Sequence, residues 1–180
     1  RCMPNVNVLR LADANEAAIL IKYAFDQEKT PSMVLLTRQG LPVLDRNIFP
    51  QAESVLKGGY VIDDAENPDI IIIATGSEVK TAIEAKKLIS DKKVKVVNLA
   101  CWEIFEQQSE DYKKSVLGND SVFKVSLEAG TTFGWERYTG RNGLNIGINR
   151  FGESAPGKDL ANFFGFTPEQ VAETIKKAIS

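Results

Sequence analysis

Three places in the chain carry side chains suited to chemistry: Arg38, Glu128 and the segment Thr75-Gly76-Ser77-Glu78. Arg38 follows the apolar run Met33–Leu36 and precedes Gln39-Gly40. Ligands of open α/β sheets gather beyond the carboxyl ends of strands, and a guanidinium fork suits bidentate contact with phosphate. From position alone, a surface arginine in an ion pair remains the favoured reading of Arg38. Thr75–Glu78 follows the run Ile70–Ala74, and a helix N-terminus there offers free N–H groups to an anion. It has one glycine and no lysine in the Walker position. Glu78 in the first turn already complements the helix dipole, so a plain strand–helix turn is favoured. Glu128 also ends an apolar run, but no second convergent carboxylate accompanies it. A structural or interface role is therefore favoured over acid–base work.

The residue types exclude more than they offer. None of the 180 residues is histidine. A Ser-His-Asp or Cys-His machine, His-ligated zinc and an imidazole titrating near neutrality are all ruled out. Proton chemistry by this chain alone falls to carboxylates, Lys, Tyr or Cys. Cys2 and Cys101 form no Cys-x-x-Cys pair, and two free thiols in a reducing compartment are the simpler reading. The formal net charge is −2, from 22 basic and 24 acidic residues, which argues against a dedicated nucleic-acid binder. No run approaches the roughly 20 apolar residues of a membrane span, and residues 1–30 lack a secretory-signal layout. The expectation is a soluble, intracellular protein, beginning at Arg1 as a fragment or processed product.

The elements that position these residues follow from periodicity. Residues 4–10 alternate and suit a strand. Asp13 and Glu16 have capping-box spacing ahead of a helix with the apolar stripe Ala17, Leu20, Ile21, Ala24 and Phe25. Ser32–Thr37 reads as a second strand. Residues 39–57 lose periodicity around Gly40, Pro42, Asp45, Asn47 and Pro50 and form the best linker candidate. Strands are then expected at Tyr60–Ile62, Ile70–Ala74, Val94–Ala100, Val122–Leu127 and Asn145–Ile148. Helices are expected after Ser77, over Ser109–Leu117, over Thr132–Thr139 and after the capping signal Thr167-Pro168. Strands alternating with helices make the body α/β with a mostly parallel sheet. The aromatics Trp135, Tyr138, Phe163, Phe164 and Phe166 read as core or interface, and Lys86-Lys87 and Lys92-Lys93 as solvated helix ends.

Several segments, in fixed order, resemble the transketolases: Met3-Pro-Asn-Val6, Arg10-Leu-Ala-Asp13 with Glu16, Leu36-Thr-Arg-Gln-Gly-Leu-Pro42 and Ala74-Thr-Gly-Ser-Glu-Val79. Phe105-Glu-Gln-Gln-Ser109, Tyr112-Lys-x-Ser-Val116 and Phe151-Gly-Glu-Ser-Ala-Pro156 continue the likeness over essentially the whole chain. Leu11 stands where the family usually has proline, and Cys101-Trp102 replaces a commoner proline-containing turn.

The resemblance implies the carboxyl-terminal part of a transketolase. Residues 1–40 would be the tail of the pyrimidine-binding domain, 41–57 a linker, and 58–180 a three-layer α/β/α domain on a mostly parallel five-stranded sheet. It implies transfer of a two-carbon ketol unit between sugar phosphates, with thiamine diphosphate and Mg²⁺, in a cytoplasmic homodimer. The family's Gly-Asp-Gly…Asn metal motif is absent, and Gly118-Asn-Asp120 does not replace it. The implied catalytic, cofactor and metal residues of this chain are therefore none, and the chain alone is expected to be inactive, partnered by upstream domains. One family site does fall here: the arginine that contacts the sugar phosphate aligns with Arg38, which reverses the reading from position alone. A scaffold or effector-binding module of a related thiamine enzyme, dihydroxyacetone synthase or a 2-oxo-acid dehydrogenase E1 component, is the alternative.

Overall fold

The computed structural model describes residues 2–179; Arg1 and Ser180 lie outside the described residues. The chain opens on a strand–helix–strand unit: β1 (Asn7–Arg10), α1 (Ala14–Asp26) and β2 (Ser32–Leu35). β1 and β2 pair in parallel, Asn7 opposite Ser32 and Arg10 opposite Leu35, as a two-stranded sheet. β1 is shorter than the alternation over 4–10 suggests, because Asn5 turns the chain at φ 59°. Asp13 caps α1, its carboxylate accepting from the Glu16 N–H at 2.9 Å.

The apolar stripe of α1 lies differently from the expectation. Leu20 is fully buried, with Ala17, Ile19, Tyr23 and Ala24 packed beside it, whereas Phe25 is 86 % exposed. Positions 16, 20, 23 and 24 share one helical face, while Ile21 and Phe25, four residues apart, share the adjacent one.

β2 stops two residues short of the expected strand end at Thr37, and the irregular stretch that follows ends in a 3-10 turn, Ala52–Lys57, that periodicity does not announce. Gly58 closes it at φ 79°, where a Cβ would lie 2.3 Å from the Phe105 nitrogen. Only a glycine lets the chain pass so close.

The body then alternates: β3 (Tyr60–Asp63), β4 (Ile70–Ala74), α2 (Glu78–Leu88), β5 (Val94–Asn98), α3 (Trp102–Glu106), α4 (Glu110–Leu117) and β6 (Phe123–Leu127). α5 (Glu136–Thr139), β7 (Leu144–Ile146), α6 (Gly157–Phe163) and α7 (Pro168–Ala178) complete it. The sheet order is β3-β5-β4-β6-β7, with β3 antiparallel and the other pairings parallel. This is the mostly parallel five-stranded sheet that the sequence leads one to expect. Ser109 and Thr167 cap α4 and α7 through their side-chain oxygens. The helix expected over 132–139 shrinks to the single turn of α5. α3 goes unannounced, since Cys101 supplies no side-chain cap.

Strand alternation divides the core in two. Ile70 and Ile72 pack toward α2 and α7, against Val79, Ala82, Val171 and Ile175. Ile71 and Ile73 pack on the other face, against Trp102, Phe105, Val116, Trp135 and Tyr138. Because β4 is central and covered on both faces, its uninterrupted isoleucines are what the position demands. Burying each stabilises the fold by about 1.5–3 kcal/mol. Trp102 meets Trp135 edge-on at 4.9 Å and Tyr138 at 5.1 Å. The aromatics that lie close in sequence thus separate: Trp135 and Tyr138 enter this layer, Phe164 and Phe166 join the opposite one, and Phe163 is exposed.

The small sheet docks on the body through its backbone. The Arg10 N–H donates to the Ala100 carbonyl at 2.9 Å, and the Val8 N–H to the Glu103 carboxylate at 3.1 Å. Among the described residues, no helix is long and apolar enough to cross a membrane.

Candidate functional site

Beyond the last residue of β2 the chain turns, and Thr37 shapes that turn. Its hydroxyl donates to the Gln39 side-chain oxygen at 2.7 Å and accepts from the Gln39 N–H at 3.2 Å. Arg38, between them, is exposed and lines a cleft of about 260 Å³. The cleft's other walls come from Arg10 at the end of β1, Gly76–Glu78 before and into α2, and Ala129 just past β6. The site therefore collects the carboxyl ends of strands from both sheets, the position that sequence reasoning assigned to Arg38. Arg38 makes no ion pair with any other described residue.

The charge of its neighbour Arg10 is balanced by two carboxylates. Gly76, at φ 64°, lies so close that a Cβ there would sit 3.2 Å from the Arg10 Nε. One Arg10 terminal nitrogen meets Glu78 at 2.8 Å and the other meets Glu128 at 3.0 Å. The second oxygen of Glu128 accepts from the Trp135 indole N–H at 2.7 Å. Glu78 accepts further from the Ala129 N–H at 3.0 Å and the Ser77 hydroxyl at 2.5 Å. Both carboxylates are buried and fully engaged, so each stabilises the arginine instead of serving as a free acid or base. Glu128 has the structural role that its isolation in sequence suggested. Glu78 goes beyond the dipole role, reaching across to the small sheet. The Thr75–Glu78 segment is a strand–helix turn, and Ser77 makes no side-chain cap bond.

A second charged network lies at the other side of α1, and sequence reasoning missed it as a unit. Glu16 is wholly buried. Its carboxylate accepts from Tyr60 Oη at 2.5 Å, from Asn98 Nδ2 at 2.8 and 3.0 Å, and from the Ala12 N–H at 2.9 Å. Arg46, in the irregular stretch after β2, binds Asp13 at 2.7 Å and the Pro50 carbonyl at 2.9 Å. Burial holds the Glu16 carboxyl above its ordinary value, against the hydrogen bonds that favour its charge. Burial likewise raises the Tyr60 phenol, reinforced by the neighbouring Glu16. The only local signal was the Asp13–Glu16 spacing, which announces a helix start and nothing of Tyr60 or Asn98.

The remaining candidates are inert. Cys101 is buried, and burial pushes its thiol up to about 12, so it is no nucleophile at neutral pH. Lys86 departs from the solvated reading, with its ammonium 2.5 Å from Asp63. Among the described residues, no three His, Cys, Asp or Glu side chains come together to hold a metal ion.

The comparisons agree on one family. A family model described as the transketolase-like TK C-terminal domain matches residues 58–167. The transketolase of Aquifex aeolicus is 46% identical over 178 residues, covering 97% of this chain and 26% of that protein. Transketolase-1 of Arabidopsis thaliana, chloroplastic, is 45% identical over 98% of this chain and 24% of its own length. A Pichia stipitis transketolase, crystallised in complex with sedoheptulose-7-phosphate, superposes with a TM-score of 0.92 at 41% identity, covering 99% of this chain and 26% of that one. The chain thus spans about a quarter of the length of the relatives it matches.

Proposed function

The chain belongs to the transketolase family, and from that premise we propose that it is the carboxyl-terminal part of an enzyme moving a two-carbon ketol unit between sugar phosphates. Within that enzyme its own contribution is to hold the substrate's phosphate on Arg38. The observation that carries this reading is the contrast at the strand ends. Arg10 is neutralised by Glu78 and Glu128, whereas Arg38 faces the adjoining cleft with no counter-ion among the described residues. A guanidinium left with its donors free presents a planar fork to a phosphate group. Such a contact positions the sugar without joining in bond making. The relative crystallised with sedoheptulose-7-phosphate supports a sugar phosphate as the substrate class.

Thiamine diphosphate with Mg²⁺ supplies the family's carbon–carbon chemistry when bound. The resemblance assigns the groups that hold cofactor and metal to other domains of the full-length enzyme, of which this chain spans about a quarter. The chain by itself then turns over no substrate. Residues 1–40 serve as the tail of the pyrimidine-binding domain, 41–57 as a linker, and 58–180 as the C-terminal domain. A family match beginning at residue 58 supports that division. A homodimer in the cytoplasm completes the reading.

The test is Arg38→Ala in a full-length transketolase carrying this segment. The expected outcome is a KM for phosphorylated donors raised about 10- to 100-fold, as for loss of a charge-assisted hydrogen bond, with kcat nearly unchanged. Equal losses for phosphorylated and unphosphorylated donors would overturn the role.

A further inference from the structure

A second cleft, of about 810 Å³, lies at the other end of the five-stranded sheet. It is walled by α4, the turn leading into β6 and the loop after α5. Phe123 and Lys124 at the start of β6 line it, whereas Ala129, beyond the end of the same strand, lines the Arg38 cleft. Its walls are backbone brought close by glycine. A Cβ at Gly143 would be 2.8 Å from the Lys124 carbonyl oxygen, and one at Gly118, whose φ is 65°, would be 2.9 Å from Ile71 Cδ1.

Lys124 occupies an improbable position. β6 turns Val125 and Leu127 toward α2 and α7, so Lys124 falls on the aromatic side of the sheet, level with Ile71. The pleat asks for an apolar residue there. The lysine side chain is 8 % exposed, and among the described residues its one ion-pair partner is Asp120, at 3.7 Å, itself fully exposed. The ammonium makes no hydrogen bond to any described residue, leaving three donors at the cleft. Its stem is packed away while the ammonium reaches the open cleft, where an entering anion would meet it. Five cationic and three acidic side chains line the cleft. Lys113 is taken by Glu110 at 2.6 Å, and Arg137 reaches Glu106 only at 4.0 Å. Arg141 has no ion pair among the described residues. A volume of this size accommodates a small organic molecule.

We infer that this cleft is a second anion site, binding a phosphoryl group of a small phosphorylated molecule between Lys124 and Arg141. It does not rest on the reading of Arg38 and lies apart from that cleft. Calorimetric titration of the chain with pyrophosphate and with inorganic phosphate, at constant ionic strength, tests it, with amide NMR shifts to locate the site. Lys124→Met keeps the aliphatic stem and removes the charge, so folding is not put at risk. Arg141→Ala changes an exposed residue. The expected result is saturable pyrophosphate binding with amide shifts at the Lys124 cleft, weakened about tenfold or more by Lys124→Met and about threefold or more by Arg141→Ala. Absence of saturable binding, wild-type affinity in Lys124→Met, or shifts confined to the Arg38 cleft each overturn the inference.

Discussion

Two groups of charged side chains fasten residues 7–46 to the five-stranded body, and they are completed to different degrees. Around Glu16 every carboxylate oxygen is met by a donor from the body or from the start of α1. Arg46 closes the group from the irregular stretch after β2, with its guanidinium 4.0 Å from Glu16. Around Arg10 the pairing is equally thorough on the side of Glu78 and Glu128, but it stops there. Arg38, a few positions beyond the strand residue paired with Arg10, is left facing open space. The first junction is built for holding; the second holds and also leaves one cation unspent. Two arginines at neighbouring strand ends differ in charge balance because both carboxylates at hand pair with Arg10.

Removing Glu16 is the severest way to probe this contrast. Glu16→Ala strands Tyr60, Asn98 and the Ala12 N–H without an acceptor, and should cost about 3–5 kcal/mol in urea unfolding. Burial raises the folded-state value of this carboxyl. Its stabilising contribution is therefore full below the ordinary carboxyl value and is lost as pH rises through the raised one. The wild-type advantage over Glu16→Ala should accordingly widen as the solution is acidified from neutrality; a gap that narrows would contradict the assignment.

Arg10→Met comes next, at about 2–4 kcal/mol, because it leaves Glu78 and Glu128 buried without their shared cation. Combined with Glu78→Gln it should cost less than the sum of the two single changes, and strict additivity would show that the pairing is not the cause. Arg38→Ala is the smallest. An exposed arginine with no partner among the described residues should shift unfolding by no more than about 0.5 kcal/mol. A large destabilisation would erase the distinction between the two regions.

What the sequence reveals of this arrangement follows the range of the interactions. The caps at Asp13 and Thr167 are legible because each signal and its partner lie within three residues. The isoleucines of β4 are legible because a fully buried strand needs no alternation. The position of Arg38 at a strand end is legible too. Its lack of a counter-ion is not, since that depends on Glu78 and Glu128 turning toward Arg10 across the fold. α3 escaped because its residues are held by the aromatic layer and by Glu103 meeting Val8, with no cap to mark them. Glu16 looked like a local capping residue, yet Tyr60 and Asn98 stand 44 and 82 positions away.

That last separation sets a timetable. A ribosome adding roughly 5–20 residues per second makes Asn98 about 4–16 s after Glu16. Until Asn98 is made, Glu16 lacks two of the hydrogen bonds that complete its group. Closing so long a loop is entropically disfavoured until the body can reward it. α1 is thus complete in sequence well before its buried glutamate can be satisfied. Pausing translation between α1 and β5 should leave the amino-terminal unit exposed to protease for as long as the pause lasts.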